Sequence, residues 1–196
     1  MVSLTGVSHE KILALLIAAG VSLSAAAAPE NFSSDANHTF ARFEYSHFGY
    51  STQQSRFNNT SAKIVLDRAG KSGSVEAVID AKSVDTGSKL FDGHIQGEDF
   101  LDTAKYPTIT YKSTKFNFNG DTLASIDGNL TIKGVTKPVT LTVTHLQCMD
   151  HPMMKKLACG ANATAIIKRT EFNAGKYAPY VGDDVTLTFA VEAIKD

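Results

Sequence analysis

Tryptophan is absent from this 196-residue chain, so any aromatic platform must come from its 11 Phe and 6 Tyr. Net charge is almost absent as well: 19 Lys and Arg against 20 Asp and Glu leave −1 at pH 7. Nucleic-acid-binding domains are usually strongly basic, so this balance argues against nucleic acid as the main partner. Beyond the N-terminal segment no apolar run approaches the roughly 20 residues that a membrane-spanning helix needs. There is no Gly-x-Ser-x-Gly, no His-Glu-x-x-His and no phosphate-cradling glycine loop. The expectation is a protein that is not an enzyme, uses no cofactor and leaves no position assigned to catalysis. Only two cysteines occur, Cys148 and Cys159.

What is present begins with a leader. "KILALLIAAGVSLSAAAAPE" carries Lys11, an apolar run over residues 12–21, and then Ser24 followed by Ala25 to Ala28. A basic start, an apolar middle and small residues at the end are the order of a secretory signal. Cleavage fits best after Ala27, because cutting after Ala28 would place Pro29 just past the scissile bond. The expected division is a signal peptide over residues 1–27 and one domain over residues 28–196, exported to a bacterial periplasm. An uncleaved membrane anchor is the other reading of the same segment. In an oxidising compartment an even cysteine count points to one disulfide, Cys148–Cys159. Closing so short a loop stabilises by about 3 kcal/mol in the chain-entropy account.

The remainder alternates apolar and polar residues with period two, which is the signature of half-buried strands. "TFARFEYSHF" puts Phe43, Tyr45 and His47 on one face. Ile64 and Leu66 precede a glycine-rich turn at 70–73, and Val75, Ala77 and Ile79 follow it. A turn at Asn119-Gly120-Asp121 joins two further runs. In "GNLTIKGVTKPVTLTVTH" the apolar stripe is Leu130, Ile132, Val139, Leu141 and Val143, with Gly134 and Pro138 marking the turn. His145 continues that stripe. The last run sets Val185, Leu187, Phe189 and Val191 on one face. Only residues 85–107 break the pattern. Asp85 or Thr86 is placed to cap one short helix, and Glu98 to Leu101 to begin a second. About eight evenly spaced strands give an all-β sandwich or an antiparallel barrel, and periodicity alone does not separate a filled interior from a hollow one.

Residues 83–114, "SVDTGSKLFDGHIQGEDFLDTAKYPTITYKST", resemble the signature of the YceI-like family of exported lipid-binding proteins. The matching positions are Ser83, Asp85, Thr86, Asp92, His94, Asp99, Phe100, Tyr106, Pro107 and Ile109. The hairpin from Gly128 and the closing "VGDDVTLTFAVEA" resemble the family's later blocks. Local departures fall at Ser55-Arg56-Phe57, at Gln96-Gly97 and at Asn173-Ala174 before Gly175. The resemblance implies an extended lipocalin-like, eight-stranded antiparallel barrel with a short helical segment in the middle. It implies a long apolar guest, a polyprenyl chain or isoprenoid quinone or another long-chain amphiphilic lipid, inside that barrel. Transport, storage and stress response are the associated roles. Transient membrane contact and a monomer or homodimer are the expected associations.

On this reading the lipid-binding candidates are Phe43, Tyr45, His47, Phe57, Tyr111, Leu130, Ile132, Leu141, Val143, His145 and Phe189. Large side chains would grip the guest, and the small Ala161, Ala163 and Ala165 would leave room. His47 and His145 would offer a hydrogen bond to a polar head. Arg42 and Arg56 are candidates to meet an anionic head, and His94 is read as an anchor for the helical segment. Two other readings stay open. The "CMDHPMMKKLAC" loop holds Cys148, His151 and Met153, soft donors suited to copper or zinc when the cysteines are reduced. A ligand-free structural domain would share every strand pattern.

Overall fold

The computed structural model describes Met1 and residues 28–196; the expected leader otherwise lies outside the described residues. The strands are β1 (Glu30–Ser34), β2 (Phe40–His47), β3 (Ser51–Phe57), β4 (Thr60–Asp67), β5 (Ser72–Asp80), β6 (Val84–Asp85), β7 (Thr108–Asn119), β8 (Thr122–Ile132), β9 (Val135–Asp150), β10 (Leu157–Lys168) and β11 (Val181–Lys195). Among the described residues one α-helix, α1 (Lys89–Gln96), interrupts them between β6 and β7. All pairings are antiparallel. Eight strands, in the order β1-β4-β5-β7-β8-β9-β10-β11, close into a ring when β1 pairs back onto β11. This is the closed eight-stranded barrel with one short helix that the sequence led us to expect.

Closure rests on the length of β11. Its C-terminal part pairs with β1 (Phe32↔Lys195), and its N-terminal part pairs with β2 (Leu187↔Phe43). From β2 the wall runs on through β3 to the two-residue β6. The barrel is therefore taller on this side, and that taller rim carries α1.

Buried apolar residues fall into two groups. The larger occupies the half beneath α1 and includes Tyr45, Phe57, Ile95, Leu130 and Phe172. The smaller fills the opposite end around Phe32, Leu66, Phe116 and Leu123, with Cys148 and Cys159 against it. Cys148 and Cys159 sit directly across the β9–β10 ladder and are disulfide-bonded. The loop they close carries His151, Met153 and Met154 at the end away from α1. With both thiols in the disulfide, the thiolate donors of the copper or zinc reading are consumed.

Gly134 marks the β8–β9 turn as expected, and three other local expectations are corrected. The β8–β9 turn is Lys133-Gly134, both at positive φ (49° and 74°), which suits a two-residue hairpin. Pro138 is not in that turn; it lies inside β9, opposite Asn129. It is tolerated because β9 meets β10 only from Thr142 onward, leaving its other edge free at Pro138. The cap of α1 is Ser88, not Asp85 or Thr86. Asp92 instead accepts from the Thr86 amide and hydroxyl (both 2.8 Å), tying the helix back to β6. Residues 98–101 form turns rather than a second helix.

One close approach organises the middle of the wall. A Cβ on Gly128 would lie 2.4 Å from Tyr111 Cζ, so only glycine lets the ring lie across β8. The Tyr111 hydroxyl then donates to the Ile126 and Val139 carbonyls (2.9 and 3.1 Å). Burial pushes this phenol well above its ordinary pKa, and the Asp127 carboxylate adds to the effect.

Gly128→Ala is expected to destabilise by about 2 kcal/mol through overpacking. Tyr111→Phe is expected to cost about 1 kcal/mol. Urea denaturation of the two single variants and of Gly128→Ala with Tyr111→Leu checks this: the smaller ring partner should recover much of the glycine penalty. The paired Cys148→Ser and Cys159→Ser change should lower stability by about 3 kcal/mol with the far-ultraviolet spectrum unchanged.

Candidate functional site

The barrel is hollow beneath α1. A chamber of about 380 Å³ opens there, walled almost wholly by carbon. β2 turns Phe43, Tyr45 and His47 into it, β3 adds Phe57, and the later strands add Leu130, Ile132 and Phe189. α1 covers it with Phe91, His94 and Ile95. A second chamber of about 120 Å³ lies toward the disulfide end and is lined by Tyr111, Leu141, Val143, Ala161 and Ala163 among others. Ile79, Leu130 and Phe189 border both chambers and form the waist between them. The interior thus holds two adjoining apolar chambers in series.

Ten of the eleven candidates face these chambers. Phe43, Tyr45, His47, Phe57 and Ile132 border the mouth chamber, Tyr111, Leu141 and Val143 the far one, and Leu130 and Phe189 both. Phe43 packs on Phe57 with ring centroids 5.5 Å apart and stacks on Tyr45 at 6.2 Å, which fixes one wall. Tyr111 offers only its ring, since its hydroxyl is engaged by carbonyls.

His145 is the exception and is corrected: its side chain is exposed on the outer face. A bulge in the β9–β10 ladder pairs Asn162 with His145 but Ala163 with Val143, so Thr144 is an extra residue. One extra residue reverses the side-chain phase. After it, Leu146 faces the far chamber and His145 faces out.

The structure also brings in residues the strand pattern did not single out. His94 borders the mouth chamber rather than serving only as an anchor, and Phe91, Phe172 and Tyr177 join it. Arg169 is the least expected. It is buried, yet Nε donates to Gly182 O (2.7 Å) and its terminal nitrogens to Ala174, Lys176 and Val181 O (2.6, 2.8 and 2.6 Å). Four of its five N–H bonds therefore hold the loop over residues 174–182 around the mouth. Burial pulls its pKa below the ordinary guanidinium value, while Asp183 and Tyr45 act in the opposite sense. Arg169 sits in a short 3-10 turn (Arg169–Phe172), where period-two alternation carries no information.

Arg42 and Arg56 lie elsewhere. Both guanidinium groups sit over the Phe40 ring (5.4 and 5.0 Å) beside an outer polar groove that includes Glu44, Gln54 and Asp85. Arg42 reaches the edge of the mouth chamber, whereas Arg56 borders only the groove.

Known proteins share this fold. Protein YceI of Escherichia coli O157:H7 is 35% identical over 182 residues, covering 92% of this chain and 93% of that protein. The crystal structure of Burkholderia cenocepacia BcnA superposes with a TM-score of 0.69 at 26% identity, covering 81% of this chain and 98% of that one. A polyisoprenoid-binding domain from Saccharophagus degradans superposes with a TM-score of 0.61 at 18% identity, covering 84% of this chain and 98% of that one, which shows the shared fold. The YceI-like domain model matches residues 32–193, and the chain belongs to that family.

Proposed function

We propose that this protein binds, and carries or stores, a long apolar lipid of the isoprenoid type inside its barrel. The observation that carries the reading is the pair of apolar chambers in series, the larger at the mouth and the smaller beyond the shared Ile79, Leu130 and Phe189. A compact guest would need one round pocket, whereas chambers in series suit a flexible chain. The name of the Saccharophagus degradans neighbour, a polyisoprenoid-binding domain, supports the same guest class.

Physical magnitudes make such binding sufficient without polar anchors. A chain burying on the order of 500 Å² gains roughly 12 kcal/mol gross. Lost translation and chain ordering offset a large part of it. Binding rather than catalysis is the reading, because Arg169 and the Tyr111 hydroxyl are engaged by backbone carbonyls. A periplasmic location belongs to the proposal too, supported by the leader pattern and by a disulfide of the kind that persists in oxidising compartments.

Native mass spectrometry of the mature protein purified from its own periplasm, followed by organic extraction, is expected to show a retained apolar adduct of polyprenyl or quinone type. A clean protein mass, with no uptake of added polyprenol, would overturn the reading and favour a ligand-free domain.

Chain length should be read by the far chamber. Ala163→Phe fills the smaller space without touching the mouth. It is expected to shift bound polyprenols toward shorter chains while total occupancy is kept. An unchanged chain-length distribution in the extract would remove the far chamber from the binding path.

A further inference from the structure

We propose that the rim of the mouth is a membrane-docking surface, seating the barrel on a lipid bilayer so that guests pass directly between bilayer and chamber. The inference rests on the lipid-binding reading above and assigns that site its source.

The argument starts from where exposed aromatic rings occur. Among the described residues the exposed aromatics are Phe48, Tyr50, Phe91, Tyr177 and Tyr180, and all five are at the mouth. They come from three separate segments: the β2–β3 turn, α1 and the loop over residues 174–180. Tyr50 is 90% exposed and Tyr180 71%, and Leu90 on α1 adds an aliphatic side chain at 71%. Nothing local requires this: a soluble barrel would be expected to put polar residues on such turns. Two arms are locked together, since the Phe48 amide donates to Tyr180 O (2.8 Å) and the two rings stack at 6.3 Å.

Two further observations select a bilayer as the occupant. First, Phe48, Phe91 and Tyr177 also line the mouth chamber, so outer rim and apolar interior are continuous. Tyrosines, with an apolar ring and a polar tip, suit the headgroup boundary of a membrane. Second, the exposed rings amount to an area on the order of 600 Å², large for a monomer surface. An apolar area of this size calls for a cover. A second copy on the rim would close the chamber off from its supply.

Tyr50, Leu90 and Tyr180 do not line the chamber, which makes a clean test possible. Mature wild-type protein and a Tyr50→Ser, Leu90→Gln, Tyr180→Ser variant are floated with vesicles of phosphatidylethanolamine and phosphatidylglycerol. Uptake of polyprenol from detergent solution and thermal melting are measured in parallel. The wild type is expected to float with the vesicles. The variant should partition about tenfold more weakly or less, with detergent uptake and melting unchanged. Wild-type protein that stays with the soluble fraction, or a variant that floats equally well, would overturn the docking surface. A wild-type dimer in sedimentation that the variant dissolves, without vesicle binding, would make a second copy the occupant and overturn it as well. Failure of detergent uptake in both proteins, with rim-dependent flotation intact, would sink the lipid-binding reading and leave docking supported.

Discussion

The pairing of β1 with β11 turns a sheet into a tube, and the rest of the structure depends on it. Without it β1 and β11 would present open edges, each a row of unpaired amides and carbonyls. With it, the inward face of every strand is committed to one enclosed space. β11 closes the ring with its last residues and still reaches β2 with its first, so one strand both seals the barrel and supports the taller wall. That wall carries Phe43, Tyr45 and Phe57, which line the mouth chamber together with Ile79, Leu130 and Ile132 of the ring.

A hollow barrel sacrifices stability. The side chains around the chamber of about 380 Å³ lack the packing contacts that a filled interior would give them. The far end offsets part of this. There Phe32 is fully buried, Leu66 and Phe116 pack beside it, and the disulfide spans the adjacent ladder. The larger space thus lies at the mouth and the smaller at the disulfide end, where these residues border it. A bound chain would restore contacts where they are missing, linking occupancy to stability.

Period-two alternation made most of the wall legible, because a strand that buries one face has little freedom in which residues it turns inward. Phe43, Tyr45, Leu130 and Leu141 were readable for that reason. The same rule misplaced His145 because the stripe was continued past Val143, although the apolar phase changes there from residues 139, 141 and 143 to Leu146 and Cys148, the change that the one-residue bulge at Thr144 produces. The site's other missed members, Arg169, Phe91 and Tyr177, sit on a 3-10 turn, a short helix and a loop. Their positions are set by contacts distant in sequence, such as Arg169 with the 182 carbonyl, rather than by local periodicity. Ser88 displaced Thr86 as the cap because Asp92 engages Thr86 first.

The two ends of the barrel are also held by different kinds of bonds. At the disulfide end the chain is zipped into ladders up to the turn residues. At the mouth, carbonyls that no strand can pair are satisfied by two cations. Arg169 takes those of 174, 176, 181 and 182, and Lys133, on the β8–β9 turn, takes those of Glu98 and Asn173. Lys133 thereby joins the segment after α1 to the loop across the opening. Asn173, at φ 56°, ends the 3-10 turn in the left-handed conformation that asparagine tolerates. Separating these loops breaks a few side-chain bonds, whereas opening the base would unzip ladders and expose Phe32. Local opening follows the weaker bonding, so the mouth, where the aromatic residues stand, is the end of the barrel that opens more readily.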